Sequence, residues 1–388
     1  MISIRSALHT ADGRWRLWPG VVVFAGIAVV ASQSTSAFTP YQLDIFTTLL
    51  AFIALAQSWN ILAGYGGQVS LGVSAFVGTG AYSAALLELH AGLGYPLGIL
   101  AATVAGAVLA AVLAVPLLRL RGDYFSIGTL SAALALQALA VNWAFVGGST
   151  GLTLPEAGIP GPVENFQLAC GIAGVAMAVT YLVAHSSFGM RLKAVRDNEP
   201  AAVGLGVSAF RHRLGALLMS GALSGLTGGL LAMQQVSFEP GGMLGLGWTV
   251  NALLMTIVGG IGTILGPVIG AVAVYYLLTK QLESLQTVSV IIEGVLLLVI
   301  VRFAPRGIWP LTILAVRRLT GRRRRPAPAG PSTAATPPVP PPFKPAEAPP
   351  ADRATNATHL MPHGKSVNDA ASPTLDLCDH RWPYPLKE

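Results

Sequence analysis

Apolar residues in this chain come in runs too long for the interior of a water-soluble domain, separated by short polar or glycine-rich breaks. The runs and breaks predict spans near 17–32, 43–63, 68–88, 95–118, 124–146, 166–185, 214–235, 248–263, 266–283 and 287–303. Several carry about 18 or more residues without a charge, the length a helix needs to cross the hydrocarbon core. The fold class expected is an all-α polytopic membrane protein with about ten transmembrane helices. The 68–88 and 248–263 segments hold enough glycine to be broken or re-entrant.

Composition agrees. Of 388 residues, 53% are hydrophobic and 11% charged, and mean hydropathy is +0.62. A soluble domain carries about a quarter charged residues. The net charge of +7 raises the question of a nucleic-acid partner. The basic residues, however, sit in short blocks between apolar spans and in one tail, which fits orientation and anionic lipid headgroups and assigns no nucleic acid. Cys170 and Cys378 offer neither a disulfide framework nor a metal-ligand spacing.

Residues 1–37 imitate a secretory signal, with Arg5, Arg14 and Arg16 ahead of the apolar run Val21–Ala31. The many later spans favour an uncleaved first transmembrane helix after a cytoplasmic segment 1–16. Cytoplasmic loops retain positive charge. With the N-terminus inside, Arg119 and Arg121, then Arg191, Lys193, Arg196, Arg211 and Arg213, then Arg302, Arg306 and the terminal basic run all fall on the cytoplasmic face. Lys280 alone falls near the other face, so an even count with both termini inside fits the charges. The transmembrane domain then covers 17–310, with a cytoplasmic loop at 186–213. Gly147–Asn165, rich in Gly and Pro and free of basic residues, is an external loop suited to receiving a delivery protein. Residues 320–388 turn Pro- and Arg-rich and are expected to stay disordered in the cytoplasm, with Arg322–Arg325 near headgroups.

Motifs for chemistry are absent. A phosphate-cradling loop needs Gly, four residues, then Gly-Lys-Ser/Thr. The single Gly-Lys-Ser is Gly364–Ser366, and position 359 is His, so ATP hydrolysis is not expected on this chain. His359 and His363 have a ligand spacing but flank Leu-Met-Pro in the tail, and no Gly-x-Ser-x-Gly elbow occurs. No enzyme, metal or cofactor is assigned.

Two segments stand out. Gly64–Tyr82 combines six glycines with Gln68, Ser70, Ser74 and Thr79. Close helix packing is one explanation of the glycines. The other is an interrupted helix at 64–67 whose free N–H groups meet a substrate carboxylate. Gln57 and Asn60 precede this break on an apolar helix and need partners or a wet pathway. Residues 186–213 contain RLKAVRDNE, an amphipathic helix with Leu192 and Val195 on one face, limited by Pro200. It is either an interfacial helix on lipid or a lever docking into a motor protein. Glu293, in the middle of an apolar run, is assigned to interhelical hydrogen bonding ahead of substrate contact.

GYGGQVSLGVSAFVGTGAY, LRLRGDYFSIGTL (118–130), FGMRLKAVRDNEPAAVGLGV (188–207), IVGGIGTILGPVIGA (257–271) and the Pro-Arg-Gly at 305–307 resemble, in order, the motifs of branched-chain amino acid ABC importer permeases of the LivM type. The resemblance covers roughly residues 40–310. It implies a second permease subunit, two ATP-binding cassette subunits carrying ATP and Mg, and a periplasmic substrate-binding protein, all in contact with membrane lipid. By the same resemblance, Arg191, Arg196, Asp197, Asn198 and Glu199 belong to a cytoplasmic coupling helix. Gln57, Asn60, Gly66, Gly67, Gln68, Ser70, Ser74 and Tyr82 lie on or beside the substrate path. Val73 stands where the family often has His, and the tail lies outside the pattern; related permeases carry urea, amides and other amino acids. An ion-gradient-driven secondary transporter is the alternative, as is a membrane scaffold that transports nothing.

Overall fold

A computed structural model describes residues 38–276 except 93, 121 and 156–158. The expectations for 1–37, for the 287–303 span with Glu293, for Lys280 and for the 320–388 tail lie outside the described residues. Those described form 11 α-helices and two two-residue strands. The long helices are α1 (Pro40–Trp59), α2 (Val73–Ala91), α3 (Gly94–Leu117), α4 (Asp123–Asn142), α5 (Pro162–His185) and α8 (Ala209–Gln235). Between α5 and α8 lie α6 (Ser187–Asp197) and α7 (Glu199–Gly204). After α8 come α9 (Pro240–Met243), α10 (Gly247–Gly259) and α11 (Gly266–Val274). Six helical segments among the described residues are long and apolar enough to cross a membrane: Pro40–Tyr65, Gly94–Leu117, Asp123–Asn142, Pro162–His185, Ala209–Gln235 and Pro240–Gly259.

The helices start where local chemistry directs. Thr39 caps α1 by accepting from the Gln42 amide, Gln42 Oε1 accepts from the Thr39 amide, and Pro40 occupies the first turn, where a missing N–H costs nothing. Inside the helices, Thr47, Thr180, Thr227 and Thr256 donate their hydroxyls to the carbonyl four residues back. A buried hydroxyl is thereby satisfied without water.

Packing inverts the pattern of a soluble protein. On α3 the buried stripe is Gly98, Ala102, Gly106, Ala110 and Ala114, while Leu97, Leu100, Val104, Val108, Val112 and Val115 face outward. Lipid chains solvate such an apolar outer face, so the inner face gains by close approach of backbones. That approach is to α8, the most enclosed long helix. A Cβ built on Gly106 would meet the Gly221 carbonyl and stand 3.0 Å from Gly225 Cα, and one on Gly80 would strike the Gly225 carbonyl. The core of α2, α3 and α8 therefore rests on glycine at these crossings.

Two ends of the bundle can be told apart. At one end, Ser126 donates to the Val69 carbonyl (2.6 Å) and the Leu71 amide to Thr129 (3.0 Å), joining the start of α4 to the loop before α2. Every described Arg and Lys, namely Arg119, Arg191, Lys193, Arg196, Arg211 and Arg213, belongs to the connections and the helix start at this end. At the other end, β1 (Leu152–Thr153) pairs antiparallel with β2 (Ser237–Phe238), and Gln234 binds the side chains of Asp44 and Thr48, each at 2.7 Å.

Several boundaries differ from expectation. The span expected at 124–146 stops at Asn142, because Trp143 turns extended (φ −101°) and two 3-10 turns follow. That expected at 68–88 begins only at Val73 and runs on to Ala91. That expected at 248–263 ends at Gly259, where Gly260 takes φ +123°, a conformation open to glycine.

Candidate transport site

The end of α1 does not finish as an α-helix. Residues Asn60–Tyr65 continue it as a π turn, and the Gly66 amide reaches back five residues to the Ile61 carbonyl (3.2 Å). Gly67 follows with φ +69°, and the Gln68 amide folds back on the Leu62 carbonyl (3.2 Å). The break anticipated at 64–67 is thus present, and its form is a widened turn. Such single wide turns store little stability and gather at functional places.

Two amides hold this turn against a loop 200 residues later in sequence. Asn60 Nδ2 donates to the Thr263 carbonyl (2.8 Å), and Asn60 Oδ1 accepts from the Gly262 amide (2.8 Å). Gln57 Nε2 donates to the Ile264 carbonyl (2.7 Å). Gly64 packs so closely on Gly262 that a Cβ there would stand 2.7 Å from its nitrogen. The 260–265 loop, between α10 and α11, therefore closes over the break. Sequence reasoning placed Gln57 and Asn60 near the break but missed Gly262, Thr263 and Ile264. The signal available was the second glycine cluster, Gly259, Gly260 and Gly262.

Three N–H groups beyond the break are occupied. Hydroxyls of Thr129, Ser70 and Thr249 accept from the amides of Leu71 (3.0 Å), Gly72 (3.2 Å) and Ser74 (2.9 Å). For these three the expectation of free N–H groups is corrected: a helix start enclosed by protein must satisfy its donors, and these hydroxyls do so. Thr129 and Thr249 were not foreseen.

Gln57, Asn60, Gly66, Gln68, Ser70, Ser74 and Tyr82 are buried, whereas Gly67 is exposed. Among the described residues, Gln57 Oε1, Gln68 Oε1, Ser74 Oγ and Tyr82 OH have no hydrogen-bond partner, and neither has Ser220 Oγ on α8. An unpaired buried polar atom costs about 1–3 kcal/mol, which a structural core would avoid. Tyr82 lies farther along α2, its ring edge-on to Phe238 at 5.3 Å. Glu88, also on α2, is the one buried carboxylate among the described residues.

The charged block folds as two helices. Ser186 caps α6 by accepting from the Gly189 amide (3.2 Å), and Leu192 and Val195 are its buried face. Asn198 leaves the helix (φ −156°, ψ 96°) and its Oδ1 caps α7 by accepting from the Ala201 amide (3.1 Å). Glu199 and Pro200 thus open a second helix, where proline is tolerated because the first turn lacks an amide partner. Arg191, Arg196, Asp197 and Asn198 are exposed. Glu199 instead forms a two-point ion pair with Arg213 at the start of α8, at 2.8 and 3.2 Å, with side chains 30% and 17% exposed. Partial exposure limits the pair to about 1 kcal/mol. Glu199→Arg should nevertheless loosen α7 from α8, raising protease cleavage between 198 and 208 severalfold, and adding Arg213→Glu should reverse most of the increase.

A bundle of apolar-faced helices packed through glycine, with a polar broken helix at its centre, defines a polytopic membrane protein built around an interrupted helix. Residues 41–301 match the family described as branched-chain amino acid transport system, permease component, and the chain belongs to that family. As a permease component it is not an enzyme. It is 26% identical over 312 residues to the high-affinity branched-chain amino acid transport system permease protein LivM of Salmonella typhimurium, covering 72% of this chain and 73% of that one. With the LivM protein of Escherichia coli K12 the identity is 27%, over 69% and 70% of the two chains. A probable LivM permease of Methanocaldococcus jannaschii is 25% identical over 55% of this chain and 68% of its own length. No solved structure matches.

Proposed function

We propose that this chain is the transmembrane permease subunit of an ATP-driven importer that carries branched-chain amino acids across the inner membrane. The observation that carries the reading is the family match over 41–301. The relatives named above are branched-chain amino acid permeases, and four of this chain's buried, unpaired polar atoms, on Gln57, Gln68, Ser74 and Tyr82, lie on either side of the break. ATP and Mg act on separate ATP-binding cassette subunits; a second permease subunit and a periplasmic substrate-binding protein complete the assembly.

The end carrying every described Arg and Lys is the cytoplasmic one, because positive loops are retained there. On that basis α6 and α7 within 186–213 face the motor, both termini are inside, and about ten crossings within 17–310 make up the permease domain. Gln57, Gln68, Ser74 and Tyr82 mark the path. Their free oxygens and hydroxyls take the ammonium and carboxylate of a zwitterion, as the helix around 57–82 opens to each side in turn. Hydroxyls now paired with the amides of Leu71, Gly72 and Ser74 yield those donors to the substrate carboxylate. Arg191, Asp197 and Asn198 are the exposed groups that a motor subunit meets.

The test is uptake of labelled leucine, urea and a short amide in a strain lacking this gene, with and without the gene restored. Leucine uptake that returns with the gene and stops on ATP depletion is expected. Uptake that survives ATP depletion but collapses with a protonophore would replace this reading with an ion-driven transporter, and restored urea uptake alone would replace the substrate.

A further inference from the structure

Arg196, on the proposed lever helix, keeps its side chain 36% exposed while its guanidinium reaches back to the bundle. Its Nη1 donates to the Gly64 carbonyl at 2.6 Å, in the middle of the π turn, while Nε and Nη2 bind Asp197 Oδ1 at 2.9 and 2.8 Å. Its aliphatic stem lies against Gly67, where an added Cβ would collide with Arg196 Cγ. Three residues earlier on the same helix, Lys193 Nζ stands 4.8 Å over the Tyr65 ring. Two cations of α6 thus hold the end of α1, where carbonyls carry the negative end of the helix dipole. Leu192 and Val195, 0% and 1% exposed, seat α6 so that these contacts follow any movement of the helix.

Gly64 is the meeting point: its carbonyl accepts from Arg196, and Gly262, whose amide is bound by Asn60, lies close to the same carbonyl. We infer, taking the ATP-driven reading as given, that Arg196 is a positioning residue that latches the π turn in its wide register. On this inference, withdrawal of α6 releases the Gly64 carbonyl, the turn tightens toward α-helical register, and the Asn60 grip on the 260–265 loop opens. A wide turn suits this purpose because it differs from the α register by one residue, giving two discrete arrangements and no continuum of bending. The charge-assisted bond to Gly64 is the element that biases them. The lever helix would then carry an outward hand, Arg191 and Asp197, and an inward hand, Arg196 and Lys193.

The experiment uses the complete complex with its ATP-binding and substrate-binding subunits, reconstituted in vesicles. The unsubstituted complex comes first: if it shows no ATP-dependent leucine uptake, the importer reading itself fails, before any variant is made. In Arg196→Ala the motor subunits should still co-purify, uptake per ATP hydrolysed should fall at least tenfold, and backbone hydrogen exchange at 61–68 should accelerate at least tenfold. Exchange within 190–195 should not change. Arg196→Lys, which keeps a donor on a stem of similar reach, should recover coupling to within about threefold of the parent. Coupling and exchange within twofold of the parent in Arg196→Ala would overturn the latch. So would loss of the motor subunits on purification, which would place Arg196 at the motor surface.

Discussion

Gly225→Val should leave almost no folded protein in the membrane, while Gly171→Val should accumulate and elute from size exclusion like the parent. At Gly225 an added Cβ meets the Ala102 carbonyl and stands 2.9 Å from Gly106 Cα. Both neighbours are backbone. No side-chain rotation relieves the overlap, so α3 and α8 must separate. Overpacking a core costs about 1–3 kcal/mol and sometimes more. At the upper end that is about a hundredfold in a folding equilibrium. Separation here also forfeits the close approach that substitutes for hydrophobic drive between helices in lipid. A Cβ on Gly171, on the outer side of α5, meets nothing among the described residues within 4 Å. Fluorescence-detected size exclusion of the two variants decides the matter; equal monodisperse peaks would mean that the glycine crossing does not hold the bundle.

Asn60→Asp should reduce the maximal uptake rate about a hundredfold and leave the half-saturating leucine concentration nearly unchanged. Asn60 is 0% exposed, and its amide donates to Thr263 and accepts from Gly262. A carboxylate sets an acceptor against the Thr263 carbonyl at 2.8 Å and places a charge where no water reaches. Inverting one buried hydrogen bond and burying an unpaired charge together cost roughly 3 kcal/mol, hence the predicted factor. The split between rate and half-saturation separates two roles. If Asn60 acts through the 260–265 loop, the rate falls; if it touches the substrate, the half-saturating concentration rises instead.

How far the sequence carried can be judged segment by segment. The Gly94–Leu117 helix was legible almost to the residue, because its apolar run is bounded by glycine before and by Arg119 after. At Asn142 the apolar residues Trp143, Ala144, Phe145 and Val146 extended the expected helix past its true end. Hydropathy cannot see that three nearby glycines, Gly147, Gly148 and Gly151, adopt positive φ and draw the chain into tight turns. The glycine break was visible as composition, but its closure was not. Asn60 and Gly262 lie 202 residues apart, and no period or spacing links them. Similarly, the arginine-rich block announced a lever helix, yet which cation turns inward depends on where Leu192 and Val195 seat it.

The short strand pair has a mechanical corollary. Leu152–Thr153 is stitched to Ser237–Phe238, the Leu154 amide adds a bond to the Val236 carbonyl (2.8 Å), and Phe238 presses its ring on Tyr82. Two excursions of chain that leave the bundle separately therefore move as one plate. On the importer reading, a cargo carrier docking on that plate touches an element joined to the middle of α2 by the Phe238–Tyr82 ring contact, so the delivery face and the interior share one continuous packed route.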